Sequence, residues 1–119
     1  MIVDMRTDDR CQLAIDASMA VHGRLMASLV ICANENRGFG HDRIKRQMRL
    51  AGLGCIPRSA LKQLWQTVVS IIDGGYNPHP GNDIKLRLSK SGLFMPTDGF
   101  HRIALLKILD KPIPATIGE

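Results

Sequence analysis

The spacing of apolar residues changes from helical to strand-like at the connector from Tyr76 to Asn82. Before the connector, apolar residues recur at helical spacing. After it, Ile84, Leu86 and Leu88 alternate with polar residues, as in a half-buried strand. The prolines and glycine of the connector favour turns. We therefore predict an α+β fold in which a helical portion (1–75) precedes a small sheet unit (76–119), together forming one compact domain.

The helical portion is predicted to contain three helices. The first spans about residues 8–34, either unbroken or broken near Gly23, and Asp8 or Asp9 is placed to cap it. A short basic helix is expected from Asp42 to Gly52, and a third from Pro57 to the glycines after Asp73. The third helix is the most clearly amphipathic. Its apolar face comprises Leu61, Leu64, Trp65, Val68, Ile71 and Ile72.

The sheet unit is predicted to be a hairpin followed by a helix and a closing strand. The turn Lys90-Ser91-Gly92 separates the alternating run 84–88 from a second extended run that begins at residue 93. Apolar residues between 103 and 109 suit a helix that packs on the hairpin, and residues 113–117 suit a strand. Residues 1–5 are a candidate for a further strand.

Composition and length limit the class of protein. A chain of 119 residues with a formal net charge of +5 fits one domain and favours an anionic partner. Its three cysteines and four histidines show no disulfide or metal-ligand spacing, so we predict reduced cysteines and no zinc. The N-terminus lacks the order of a signal peptide, and the longest uncharged apolar run, 25–33, is too short to cross a bilayer. We expect a cytoplasmic protein with no membrane partner.

The residues Asp98-Gly99-Phe100-His101-Arg102 stand between the hairpin and its helix. A helix that begins directly after a glycine turn presents unpaired amides and its positive dipole end to an oxyanion. In the alternative interpretation, Asp98 is an N-cap, Gly99 a turn glycine, and the next residues a solvated first turn. The candidate catalytic residues are Asp98, His101 and Arg102. The candidate phosphate-binding residues are Gly99, Phe100, His101, Arg102 and Lys90, with His79 as a further candidate to approach the phosphate.

The same segment carries a family resemblance. The Asp98 to Arg102 box, Ala104 two residues after the arginine, and Ile113-Pro114 follow a strand in the order that resembles the ParB/sulfiredoxin superfamily. The box is also similar to the Asp-Gly-Gln-His-Arg signature of proteins in DNA phosphorothioate systems. The resemblance covers the last third of the chain. Because such boxes contact ATP in sulfiredoxins and CTP in ParB proteins, it implies a ParB/sulfiredoxin-like sheet and a nucleoside triphosphate with Mg²⁺ as ligand. Phe100 stands where sulfiredoxins place their reactive cysteine, so sulfiredoxin activity is not expected.

Three functions are compatible with the sequence. The first is a nucleotide-phosphate-binding domain, extended by phosphohydrolase or phosphotransferase action at the box. The second is a non-enzymatic DNA-associated module that binds backbone phosphates, and the third is a protein-interaction adaptor or inhibitor. A homo-oligomer or a protein partner is compatible with each, and whether the chain is an enzyme is left open. The candidate nucleic-acid-binding residues are Arg43, Lys45, Arg46 and Arg49.

The short basic helix and the third helix allow two interpretations. As a helix-turn-helix pair, the basic helix would cross phosphates while the third helix enters a groove. The interpretation that we favour is ordinary helical packing with a solvated basic face. Trp65 and its apolar neighbours make the third helix mainly a core helix.

Overall fold

The computed structural model describes residues 1–78, 81 and 83–118, and it has the predicted α+β fold. The helices are α1 (Gln12–Glu35), α2 (His41–Leu50), α3 (Arg58–Gly74) and α4 (Phe100–Ile108). The strands are β1 (Ile2–Asp4), β2 (Ile84–Leu88), β3 (Phe94–Asp98) and β4 (Pro114–Gly118). Short 3₁₀ turns at Met5–Thr7 and Asp9–Cys11 join β1 to α1.

The four strands form one mixed sheet in the order β1-β4-β2-β3. β2 and β3 are the predicted antiparallel hairpin, and β4 lies parallel to β2, with Ile84 opposite Ala115. β1 pairs antiparallel with the other edge of β4. The hairpin, the helix after it and the closing strand are therefore found where the apolar pattern predicts them, and the candidate strand within residues 1–5 is also present.

The chain divides into two compact units. The sheet unit contains Met1–Gly23 and Asn77–Glu119, and the helical unit contains Arg24–Tyr76. One junction, between Tyr76 and Asn77, adjoins the boundary predicted from the connector. The other junction lies between Gly23 and Arg24, inside the continuous helix α1.

The ends of the first two helices differ in detail from the predictions. Helix α1 is unbroken at Gly23, since buried apolar residues on both sides of the glycine, including Ile15 and Leu29, maintain the helix. The Asp8 side chain accepts a hydrogen bond from the Arg10 amide in the 3₁₀ turn before α1. Helix α2 begins at His41 with Gly40 as its N-cap, so Asp42 lies in the first turn and is not the cap.

The core of the sheet unit forms between α4 and the sheet. All four residues from Ile103 to Leu106 are buried in α4, and Ile84, Leu86 and Ala115 are buried on the strands. A buried aliphatic side chain contributes about 1.5–3 kcal/mol by leaving water. The hydrophobic contact with α4 therefore fixes the position of the box at the start of that helix.

Helix α1 has a second property that the apolar run 25–33 did not predict. The helical stretch Asp9–Glu35 is long and apolar enough to cross a bilayer, and half of its most apolar window is buried within the fold. Core helices reach the same length and hydropathy as membrane helices. The cytoplasmic location and the lack of a membrane partner therefore stay predictions.

Gly99 links β3 to α4 and lies in close contact with β2. Its backbone has φ 96°, in the left-handed region that favours glycine. A Cβ placed on Gly99 would lie 2.9 Å from Ile84 Cγ1 and 3.3 Å from Ile84 Cα. The glycine of the box is therefore required by packing inside the protein, whether or not a ligand approaches it.

Replacing Gly99 with alanine should destabilise the fold strongly. Gly99→Ala combines an unfavourable φ with overpacking against Ile84, and we expect the free energy of unfolding to fall by about 2 to 4 kcal/mol in urea denaturation. The control is Gly74→Ala, at the last residue of α3, where an added Cβ meets nothing within 4 Å. That change should be neutral or stabilise by about 1 kcal/mol. Equal effects at the two positions would contradict the proposed packing role.

Candidate functional site

The box begins helix α4 without a side-chain cap. Gly99 is the N-cap, its carbonyl accepts the amide of Ile103 at 3.0 Å, and among the described residues no side chain caps the first turn. Asp98 ends β3 with an exposed side chain, and the alternative that made it the N-cap is wrong because Gly99 occupies that position. Within the described part of the chain, the first-turn amides therefore lack a side-chain acceptor, as expected for an anion site.

Arg102 is directed into the protein. Only 15% of its side chain is exposed, and its Nη2 donates to the backbone carbonyl of Asp83 at 3.4 Å. The same nitrogen lies 3.8 Å from the exposed carboxylate of Asp98. The guanidinium thus holds the segment before β2 against the start of α4, which is a structural use that the sequence motif did not indicate.

The segment that Arg102 contacts contains an unsatisfied polar atom. Asp83 Oδ1 is buried and has no hydrogen-bond partner within the described part of the chain. Leaving a buried oxygen without a donor costs about 1–3 kcal/mol, and more when the group is charged. Asp83 was not singled out from the sequence, because it belongs to no motif.

His101 packs against a histidine from α1. The ring centroids of His101 and His22 are 4.0 Å apart, and the ring of Phe100 lies 6.4 Å from that of His22. Burial lowers the pKa of His22, and burial, then the neighbouring His22 and Arg102, lower the pKa of His101. Both imidazoles are therefore favoured in the neutral form, so His101 is suited to hydrogen bonding more than to neutralising a phosphate.

Lys90 lies at the far end of the hairpin from the box. It occupies the turn between β2 and β3, next to the pair Leu88 and Phe94, whereas Asp98 pairs with Lys85 at the opposite end. The intervening strand is about 10 Å long. The structure therefore brings Asp98, Gly99, His101 and Arg102 together but does not bring Lys90 to them. His79 lies outside the described residues.

The Arg43 side chain caps the C-terminal end of helix α1. Its guanidinium donates to the carbonyls of Cys32, Asn36 and Gly38, and one nitrogen lies 3.7 Å from a carboxylate oxygen of Glu35. A cation is favourable at a helix C-terminus because it balances the dipole and the unpaired carbonyls. Of the four predicted nucleic-acid-binding residues, Arg43 is thus already engaged within the helical unit.

The other three predicted residues lie together on α2. Arg46 and Arg49 are exposed and Lys45 is half-buried, and their spacing places them on neighbouring positions of the helix surface. Ile44 and Met48 on the opposite face are buried. We call the set Lys45, Arg46 and Arg49 the α2 basic face. No ion pair involves it in the described residues.

The division into units shows where the net charge lies. The helical unit has eight Lys and Arg residues against three Asp and Glu residues, which accounts for the whole formal charge of +5. The sheet unit, which contains the box, has eight of each and is neutral. The basic character of this protein therefore belongs to the helical unit and not to the proposed phosphate-binding turn.

Cysteine placement limits the chemistry available to thiols. Cys11 and Cys32 are buried, while Cys55 is exposed between α2 and α3. Burial raises the pKa of Cys11 to about 11, and burial also raises that of Cys32. Across the described residues, no three His, Cys, Asp or Glu side chains group as a metal site would require.

Comparison of this chain with protein-family models, with curated proteins and with solved structures finds no match. The likeness of the box to ParB/sulfiredoxin proteins therefore depends on the residues quoted above and stays a prediction.

Stability should decrease as pH falls through the range where histidines titrate. Because the pKa values of His22 and His101 are lowered from 6.5, the unfolded chain takes up protons first. The contribution of the two neutral histidines to the free energy of unfolding is therefore complete above about pH 6.5. It is lost as the pH falls through their lowered pKa values in the folded protein. We expect urea denaturation between about pH 7 and 5 to show this loss.

The variant His22→Leu should flatten that pH dependence, since it removes one titrating ring and the neighbour of the other. Asp4 and Asp8 have pKa values lowered from 3.8, so their titration changes stability only at a more acidic pH than the range from 7 to 5. An unchanged slope in His22→Leu would contradict the role given to the histidine pair.

Proposed function

We propose that this protein is a DNA-associated module in which the α2 basic face binds backbone phosphates. The observation that supports this proposal is that the net charge of +5 resides entirely within residues 24–76. A localised excess of Lys and Arg is the electrostatic signature of phosphate binding, while an even distribution is typical of solubility alone. No catalytic step is required of the box in this function.

The arrangement of α2 adds a local argument. Lys45 and Arg49 are four residues apart, and Arg46 and Arg49 are three apart, so like charges adjoin on one helix. Such pairs destabilise a helix by about 0.2–0.5 kcal/mol each. A phosphate bound between them removes this repulsion and releases counterions from DNA, which favours binding.

The α2 basic face should determine the salt dependence of DNA binding. In Arg46→Gln/Arg49→Gln, we expect weaker binding of a labelled DNA duplex in fluorescence anisotropy. The slope of log affinity against log salt should fall by about 2, one for each phosphate contact removed.

The matched control changes two exposed lysines of the sheet unit, Lys85→Gln/Lys107→Gln, which removes the same charge elsewhere. This control should retain the wild-type slope. An equal loss in both double variants would mean that only overall charge matters, and the α2 face would then have no specific role.

A second candidate is a nucleotide-phosphate site at the start of α4, favoured by the first-turn amides that no side chain caps. Those amides and His101 suit the phosphate groups of a nucleoside triphosphate, and the exposed carboxylate of Asp98 would be the side chain to face an accompanying Mg²⁺ ion. The fit is partial, because Arg102 already bonds to the carbonyl of Asp83. Phosphate binding here requires Arg102 to exchange or share that contact, and any phosphohydrolase or phosphotransferase action belongs to this candidate.

Thermal unfolding with ATP, CTP or GTP plus Mg²⁺ tests the second candidate. A bound nucleotide at a hundred times its Kd adds about 2.7 kcal/mol to the free energy of unfolding. The increase should vanish in Arg102→Gln, judged against the unfolding temperature of the same variant without nucleotide. It should persist in Lys90→Gln, because Lys90 is at the far end of the hairpin. If no nucleotide raises the unfolding temperature of the wild type, the box is a structural turn only.

A further inference from the structure

The helical unit contains a pocket of about 370 Å³ that the α2 basic face does not use. Its apolar wall is formed by Phe39, Trp65 and Val69, and its polar residues are Arg37, Lys62, Gln66 and Ser70. The volume falls in the range of small-molecule sites, which combine mostly apolar walls with a few polar groups. The pocket lies between α3 and the segment that joins α1 to α2.

The aromatic wall is held in a fixed geometry. Trp65 Nε1 donates to the carbonyl of Arg37 at 3.2 Å, and the Phe39 ring meets the Trp65 ring edge-on with centroids 6.3 Å apart. The Arg58 guanidinium lies over the Phe39 ring at 5.8 Å. The half-buried Phe39 ring therefore offers a flat surface to another planar group without first having to be ordered, while Trp65, which is only 3% exposed, supports it from inside the unit.

The polar residues of the pocket define the rest of the ligand. The Arg37 guanidinium is paired with Asp73 at 2.9 Å, whereas Lys62 is exposed and has no ion pair with any described residue. Lys62, Gln66 and Ser70 follow at intervals of four on α3, so they form one row along the pocket. The row offers one cation and then an amide and a hydroxyl, which can both donate and accept hydrogen bonds.

We infer that this pocket receives one unstacked base of a single-stranded nucleic acid, with the adjacent phosphate on Lys62. The inference depends on the proposed function, since it adds a site for an unpaired base to the unit that is proposed to bind backbone phosphates. A planar base matches the aromatic wall, its polar edge matches Gln66 and Ser70, and the backbone charge matches Lys62. An aromatic surface beside a cationic groove is the usual arrangement for single-strand binding, because every base can stack.

Trp65 permits a direct test because it is the single tryptophan of the chain and lines the pocket. Its fluorescence is measured on the full chain with a single-stranded oligonucleotide and with an abasic oligonucleotide of equal length and charge. We expect quenching with the base-bearing strand alone. Phe39→Leu should weaken that strand's binding about five-fold or more while leaving abasic binding unchanged, since stacking is lost.

Lys62→Gln should weaken both strands, and the control Lys107→Gln, in the sheet unit, should weaken neither. Equal quenching by the base-bearing and abasic strands would overturn the pocket inference but leave the proposed function intact if duplex DNA still binds through α2. Quenching by free nucleoside monophosphates without any by the oligonucleotide would also overturn it, in favour of a small-molecule site. Failure of every strand and duplex to bind would overturn both proposals.

Discussion

The contact between Gly99 and Ile84 is the constraint on which the sheet unit depends. It brings the start of α4 against the first residue of β2, closely enough that a single added carbon would lie 2.9 Å from the Ile84 side chain. The four buried residues from Ile103 to Leu106 hold α4 on the sheet and so keep this contact in place. Arg102 strengthens the same junction by bonding to the carbonyl of Asp83, directly before Ile84. The residues of a motif typical of ligand-binding turns thus make packing contacts inside the sheet unit.

This double use explains why the box and the charge suggest different functions. The box has first-turn amides that no described side chain caps, but its unit is electrically neutral and its arginine is mostly buried. The helical unit lacks such a motif, yet it carries the whole net charge and an aromatic pocket. Long-range attraction of a polyanion depends on the summed charge of a unit more than on one turn, which is why we place the DNA contact on α2.

The sequence predicted the elements well and the side-chain partners poorly. Helical spacing and strand alternation are local properties, so α3, the hairpin and the closing strand were predictable from residues such as Val68 and Leu86. The inward direction of Arg102 and the pairing of His22 with His101 depend on contacts between distant parts of the chain, which spacing does not encode. The contact of Arg43 with the end of α1 could not be predicted for a different reason. In the sequence, an arginine in a basic helix has the same pattern whether its side chain faces solvent or a helix terminus. The concentration of charge became visible only when the two units were known.

The position of Cys55 has a consequence for oxidising conditions. Its thiol is exposed in the segment between α2 and α3, whereas Cys11 and Cys32 are buried and, with raised pKa values, form little of the reactive thiolate. Each folded chain therefore offers one sulfur to an intermolecular disulfide. Air oxidation of the folded protein would stop at a covalently linked pair, and longer disulfide-linked chains would indicate that one of the units had opened.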